Sequence, residues 1–209
     1  MHLLNDLKWR YATKHFDSSK KVSPENLSKL KQAIQLSVSS YGLQPYKVLI
    51  IENKEIRKQL QAASWGQNQI IDASHLLVFC NYNSVNNKHV EDYIKLASKL
   101  QESNIDSLNN YGDFIKQKIS EISPKENYHW AYRQTYLALS NLINACAALK
   151  IDACPMEGFE NEKYNDILDL SKANLNAAVI ATIGYRSEKD KAQYRQKVRK
   201  PFNQLFEVI

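Results

Sequence analysis

Tyr128-His-Trp-Ala-Tyr-Arg-Gln-Thr-Tyr-Leu-Ala-Leu-Ser-Asn-Leu-Ile-Asn-Ala-Cys-Ala-Ala-Leu149 is apolar almost all round a helical wheel. Such a pattern predicts a helix buried in the middle of a structure rather than laid on its surface. Directly after it, Ile151 to Met156 reads as a strand, and Ala177 to Tyr185 as another, with a short helix between them near Asp166. Working back toward the start, Tyr46 to Glu52 and His75 to Asn81 are strand-like runs, separated by a helical Glu55 to Ala63. Ser23-Pro24-Glu25 is a helix start, with Ser as cap, Pro in the first turn and Glu at the positive end of the dipole. Leu27, Leu30 and Ile34 then recur at helical spacing. Leu3 to Tyr11 predicts a short helix, Ser37 to Pro45 a loop, and the apolar positions from Val90 to Ile119 one or two amphipathic helices. Gln204 to Ile209 reads as extended and apolar, with no local partner. Few strands and much helix, mixed in order, predict an α+β fold around one small sheet, with residues 1–209 as a single domain.

Composition narrows the function. The chain has 209 residues, 44% of them hydrophobic, and a formal charge of +6. The basic residues are scattered and no nucleic-acid-binding pattern interleaves them with aromatics, so no nucleic-acid partner is expected. Only Arg195, Lys197, Arg199 and Lys200 are dense, which reads either as a solvated tail or as a compact anion site. No apolar run is long enough to span a bilayer, and Met1 to Arg10 lacks a secretory apolar stretch, so no membrane association and a cytoplasmic location are expected. Cys80, Cys146 and Cys154 sit in apolar surroundings without a CxxC pair and read as buried free thiols. The five glycines form no GxGxxG, P-loop or GxSxG motif, and the five histidines show no metal-ligand spacing. An enzyme of this composition needs a bound cofactor for its chemistry.

Four stretches line up with one family when taken in order: Arg10-Tyr-Ala-Thr-Lys14 with Phe16-Asp17; Ser39-Ser40 with Gln44-Pro45-Tyr46; Gln134, then Pro155-Met-Glu-Gly158-Phe159; and Lys197-Val-Arg199-Lys-Pro201. With Asp72-Ala-Ser-His75 before an apolar strand, this ordered set resembles the nitroreductase family, of the oxygen-insensitive NAD(P)H nitroreductase and dihydropteridine reductase type. The resemblance covers essentially the whole chain. It implies an FMN-binding fold with a small, mostly antiparallel sheet covered by helices, in an intertwined homodimer whose two flavin sites are lined by both subunits. The extended end of the chain would then add to the partner's sheet.

The resemblance also implies roles. Arg10, Lys197 and Arg199 would hold the FMN phosphate, as their charge suits. Lys14 would lie beside the flavin pyrimidine, where a cation stabilises the reduced ring. Ser39 and Ser40, with Gly42, would let backbone approach the cofactor, while Gln44 and Gln134 offer amides to its ribityl chain or ring edge. Leu137 would join them from the long helix. Pro155, Met156, Glu157 and Gly158 would pack on one ring face, Glu157 acting through its main-chain N–H at flavin N5. Tyr11 and Ala12 stand where the family often has His-Ser, and Gly66 and Gln69 where it has an Asn and a Lys, so Gln69 brings a hydrogen bond without charge. The segment 103–127 would overlie the partner's site, with Tyr111 and Phe114 as substrate contacts.

The activity implied is reduction of small electron-poor acceptors, nitroaromatics or quinones, by NADH or NADPH in ping-pong hydride transfer through N5. Other flavin chemistry on the same fold (enone reduction, dehalogenation, flavin cleavage) is the alternative, and a basic binding protein without flavin is a further one.

Overall fold

A computed structural model describes residues 2–209; Met1, where the amphipathic start begins, lies outside the described residues. The helices are α1 (His2–Trp9), α2 (Pro24–Gln35), α3 (Lys54–Ala62), α4 (Gln69–Asp72), α5 (Asn87–Leu100), α6 (Ile105–Ser120), α7 (Pro124–Ala148), α8 (Asn161–Ile167) and α9 (Phe202–Leu205). The strands are β1 (Tyr46–Ile51), β2 (His75–Tyr82), β3 (Asp152–Met156) and β4 (Leu175–Gly184). They form one sheet in the order β1-β2-β4-β3, every neighbouring pair antiparallel.

Alternation along β2 builds the core. Leu76, Val78 and Cys80 face one side, with Leu60 of α3, Tyr164 of α8, Cys154 and Met156. Leu77 and Phe79 face the other, with Leu30 and Ile34 of α2 and Leu142 and Cys146 of α7. Helices cover both faces, so the strand is apolar continuously from Leu76 to Cys80 rather than at every second residue. A third cluster, with Val90, Ile94, Ile115, Ile119 and Ala131, joins α5 and α6 to α7.

Local signals explain the helix ends. The Ser23 hydroxyl accepts from Asn26 N, with Pro24 in the first turn. Ser123 and Glu126 make a reciprocal capping box ahead of α7, starting it four residues earlier than the apolar run predicts. Two expectations need correction. α7 is not buried all round: Arg133, Leu137 and Ser140 are exposed, so one stripe of it has no cover within a single chain. Nor is 204–209 extended throughout, because Gln204 N and Leu205 N bond to Pro201 O and close a helical turn over Phe202–Leu205. The residues beyond are fully exposed at Val208 and Ile209. No described helix is long and apolar enough to cross a membrane.

Candidate functional site

The segment after α1 is sewn into the fold from both sides. Ala12 forms a parallel bridge with Ala153 at the head of β3, and Phe16 an antiparallel one with Arg186. A small side chain at residue 12 permits that backbone approach. One buried carboxylate organises the rest. Asp190 Oδ2 accepts from Lys14 N at 2.8 Å, His15 N at 3.2 Å and the Tyr11 hydroxyl at 3.0 Å, and Oδ1 accepts from Ala192 N at 3.0 Å. Burial pushes this carboxyl up, but the backbone donors and the Tyr11 hydroxyl outweigh it and hold the group below the ordinary carboxylate range. Asp152, also buried, accepts from Arg186 Nε and Arg186 N, both at 2.8 Å. The Arg186 guanidinium stacks over Trp9 and Tyr11 at 4.3 and 4.6 Å.

This scaffold brings together most of the residues singled out in the sequence. Lys14 Nζ lies 4.0 Å from Cys154 Sγ. The Gln69 side chain, 7% exposed, reaches toward the same thiol from α4 and favours its charged form. Burial raises the pKa of Cys154, with Lys14, Gln69 and Arg10 opposing it. Arg10, Pro155, Met156 and Glu157 line one open cleft of about 680 Å³ together with Tyr136 of α7. Gly158 sits under Trp65, since a Cβ there would lie 2.9 Å from the indole, and Gln67 Nε2 donates to Gly158 O at 2.8 Å. Trp65 and Gly66 both have left-handed φ, +54° and +73°. Glycine carries this readily and tryptophan does not, so Gly66 is where the turn needs it and Trp65 is held there under strain. The Trp65 indole is 69% exposed.

The basic residues at the chain's end join this group. Burial, then Arg199, disfavour the charge on Arg10; burial, then Arg10 and Arg199, do the same to Lys197. Arg10 Nε is buried with no hydrogen-bond partner. Lys197 Nζ donates to Lys8 O at 2.5 Å, and Arg199 donates to its neighbour's carbonyl, Val198 O, at 2.7 Å. Three crowded cations with an orphaned donor make a cradle suited to an anion such as a phosphate.

A second group lies apart. Ser39, Ser40, Gly42, Gln44 and Gln134 gather where the loop before β1 meets α7, and Leu137 stands exposed three residues further along that helix. Ser40 N donates to Gln134 Oε1 at 2.9 Å, and Gln134 Nε2 donates to Trp130 O at 3.1 Å. Gln44 N donates to Ser39 Oγ at 2.9 Å. Gly42 has φ +74°, and a Cβ there would meet the Tyr93 hydroxyl at 3.0 Å. Among the described residues no hydrogen bond or ion pair joins this group to the first. Tyr41, Trp130, Phe114 and Tyr111 form an aromatic patch beside it, with Tyr41 6.3 Å from Phe114 and 6.2 Å from Trp130. Tyr111 and Phe114 therefore stand next to the Ser39–Ser40 loop.

Some details differ from the sequence reading. The Gln44 amide is used inside its own loop, donating to Gln35 O at 2.8 Å and contacting Ser37 O and the Tyr46 hydroxyl. The Glu157 carboxylate accepts from the Tyr136 hydroxyl at 2.6 Å, which gives its side chain a partner besides any main-chain role. Asp152, Arg186 and Asp190 were not singled out at all. Their partners lie far away in sequence, and no local motif announces them.

Comparison with known proteins is consistent across the chain. The family model described as the nitroreductase family matches residues 7–185. A Staphylococcus epidermidis protein, provisionally named an NAD(P)H nitroreductase, is 36% identical over 199 residues, covering 90% of each chain. Among solved structures, a Bacillus subtilis protein provisionally described as a nitroreductase superposes with a TM-score of 0.87 at 22% identity, over 100% of this chain and 97% of that one. Another, from Exiguobacterium sibiricum and described as in complex with FMN, gives 0.86 at 17% identity, over 99% and 97%.

Proposed function

The chain belongs to the nitroreductase family, and from that premise we propose that it is an FMN-dependent oxidoreductase acting on small electron-poor compounds such as nitroaromatics and quinones. The observation that carries this reading is the buried, unpartnered Arg10 Nε beside Lys197 and Arg199. Cations so crowded raise one another's energy, and a phosphate dianion relieves that repulsion while accepting the free donor. Bound FMN supplies two-electron transfer from NADH or NADPH to the acceptor.

The residues of this chain would bind, orient and tune. Arg10, Lys197 and Arg199 take the phosphate. Lys14, 4.0 Å from Cys154 Sγ, and Gln69, which also influences that thiol, would offer one cation and one amide to the ring. Pro155 to Gly158 supply a floor with a main-chain N–H at Glu157, and Tyr136 fixes that residue from the side. Tyr11, Ala12 and Gly66 serve by holding backbone in place.

The separation of Ser39, Ser40, Gly42, Gln44, Gln134 and Leu137 from the first group supports a homodimer in which one subunit's loop and α7 complete the other's site. The exposed stripe of α7 and the exposed end of the chain supply surface for that association.

The test is a visible spectrum of purified protein, taken before and after anaerobic addition of NADH or NADPH. Yellow flavin bands that bleach with either donor are expected, and an Arg10→Ala variant purified in parallel should lose much of its colour. Colourless protein that also fails to take up added FMN would overturn the reading. Sedimentation at the mass of two chains is the corresponding expectation for the dimer.

A further inference from the structure

We propose that the cavity between the loop preceding α2, α3 and the start of β2 is a second anion site, built for a phosphate dianion that is either free or carried as a monoester on a small molecule. The cavity encloses about 660 Å³ and shares no lining residue with the cleft around Arg10.

Lys54, Arg57 and Lys58 stand at i, i+3 and i+4 of α3, hence on one face of it, where like charges repel. Lys21 approaches from the opposite wall, fixed there because the next residue, Val22, donates its N–H to Ser74 Oγ at 2.8 Å. Its ammonium is held below the ordinary lysine range by burial, then by Arg57 and Lys54, with Asp72 opposing. Arg57 is 5% exposed and rigid: Nε, Nη1 and Nη2 donate to Ile70 O, Ser74 O and Ala73 O at 2.7, 3.1 and 2.6 Å. Three of its five N–H groups are thereby used and two remain.

The cations lining the cavity outnumber the carboxylates. Lys21, Lys54, Arg57 and Lys58 face only Glu52 and Asp72. Glu52 is turned to His75 Nε2 at 3.4 Å, and burial, the largest influence on that imidazole, favours its neutral form. Lys58 pairs with Glu55 outside the cavity. Among the described residues Lys21 and Lys54 have no ion-pair partner, and these two unpaired ammonium groups can meet the charge of a phosphate dianion near neutral pH. The space exceeds that of phosphate alone, so a monoester with a small body also fits.

The experiment is equilibrium dialysis of the FMN-supplemented protein against inorganic phosphate and, separately, against AMP, at constant ionic strength set with chloride. One saturable site per chain is expected. A Lys21→Gln/Lys54→Gln variant, altered only at exposed side chains, should bind at least about tenfold more weakly, while Lys197→Gln should bind as wild type does. Tighter binding of AMP would identify an ester, and equal affinities free phosphate. Absence of saturable binding, undiminished binding by the double variant, or loss confined to Lys197→Gln would each overturn the proposal.

Discussion

Replacing Asp190 with asparagine keeps the shape of the side chain and removes its charge, and the structure makes the cost calculable. The carboxylate accepts four hydrogen bonds, three on Oδ2 and one on Oδ1. Asparagine has a single acceptor oxygen. Whichever way its amide is turned, an NH2 group faces at least one N–H donor. Hydrogen bonds to charged groups contribute about 1.5–3 kcal/mol each, but these four share one group and are not additive. A net loss of about 3 kcal/mol follows, which for a chain of this length lowers the melting temperature by roughly 6–12 °C. The loss is also local, because three of the four donors belong to Tyr11, Lys14 and His15, in the segment that carries Arg10. FMN binding should therefore weaken by more than about tenfold, the equivalent of 1.4 kcal/mol or more. Urea denaturation followed by tryptophan fluorescence measures the first effect, and quenching of flavin fluorescence on titration measures the second. An unchanged urea midpoint together with an FMN dissociation constant within twofold of wild type would refute the assignment of Asp190 as the organiser of this segment.

The same carboxylate predicts an acid limb. Because its folded pKa lies below its unfolded one, its contribution to stability is complete above about pH 4 and is lost as pH falls through the lower folded value. Urea midpoints of wild type and Asp190→Asn should thus converge below pH 4. Asp152→Ala should cost about 3–5 kcal/mol by stranding Arg186, whose Nη2 lies 2.6 Å from Asp152 Oδ1 as an ion-pair contact outside hydrogen-bond geometry. An Asp152→Ala/Arg186→Met double variant should recover part of that loss in the same denaturation assay. Gln69→Lys should raise the flavin midpoint potential by about 20 mV, from one charge-assisted bond of about 1 kcal/mol to the reduced ring. A potential that stays put or falls in a dye-coupled titration would separate Gln69 from the flavin.

Strands and most helices were legible because burial wrote them plainly. β2 is apolar without a break from Leu76 to Cys80 since both its faces are covered, and Ser23-Pro24 marks α2 by its capping chemistry alone. The start of α7 was equally marked, by Ser123 and Glu126, in a stretch where the apolar run had not yet begun. Motif residues fell where short-range pattern places them, in the 10–14 and 155–158 segments. What sequence could not show is long-range: Asp190 reaching Tyr11, Asp152 reaching Arg186, and the division of the motif residues into two unconnected groups. Helical periodicity also cannot distinguish an apolar stripe that meets the core from one that waits for another surface, which is why α7 read as buried all round.

The strand order has a consequence for synthesis. β2 lies between β1 and β4 in the sheet, yet β4 follows it in the chain by roughly a hundred residues. At about 5–20 residues per second, a growing chain leaves one edge of β2 without its neighbour for roughly 5–20 s. That edge belongs to His75-Leu-Leu-Val-Phe-Cys-Asn-Tyr82, a run rich in β-formers with neither proline nor formal charge apart from its histidine, which is the composition that pairs readily with copies of itself. Yield on overexpression should therefore depend on how fast ribosomes reach residue 184 and on chaperones that hold the nascent sheet open until they do.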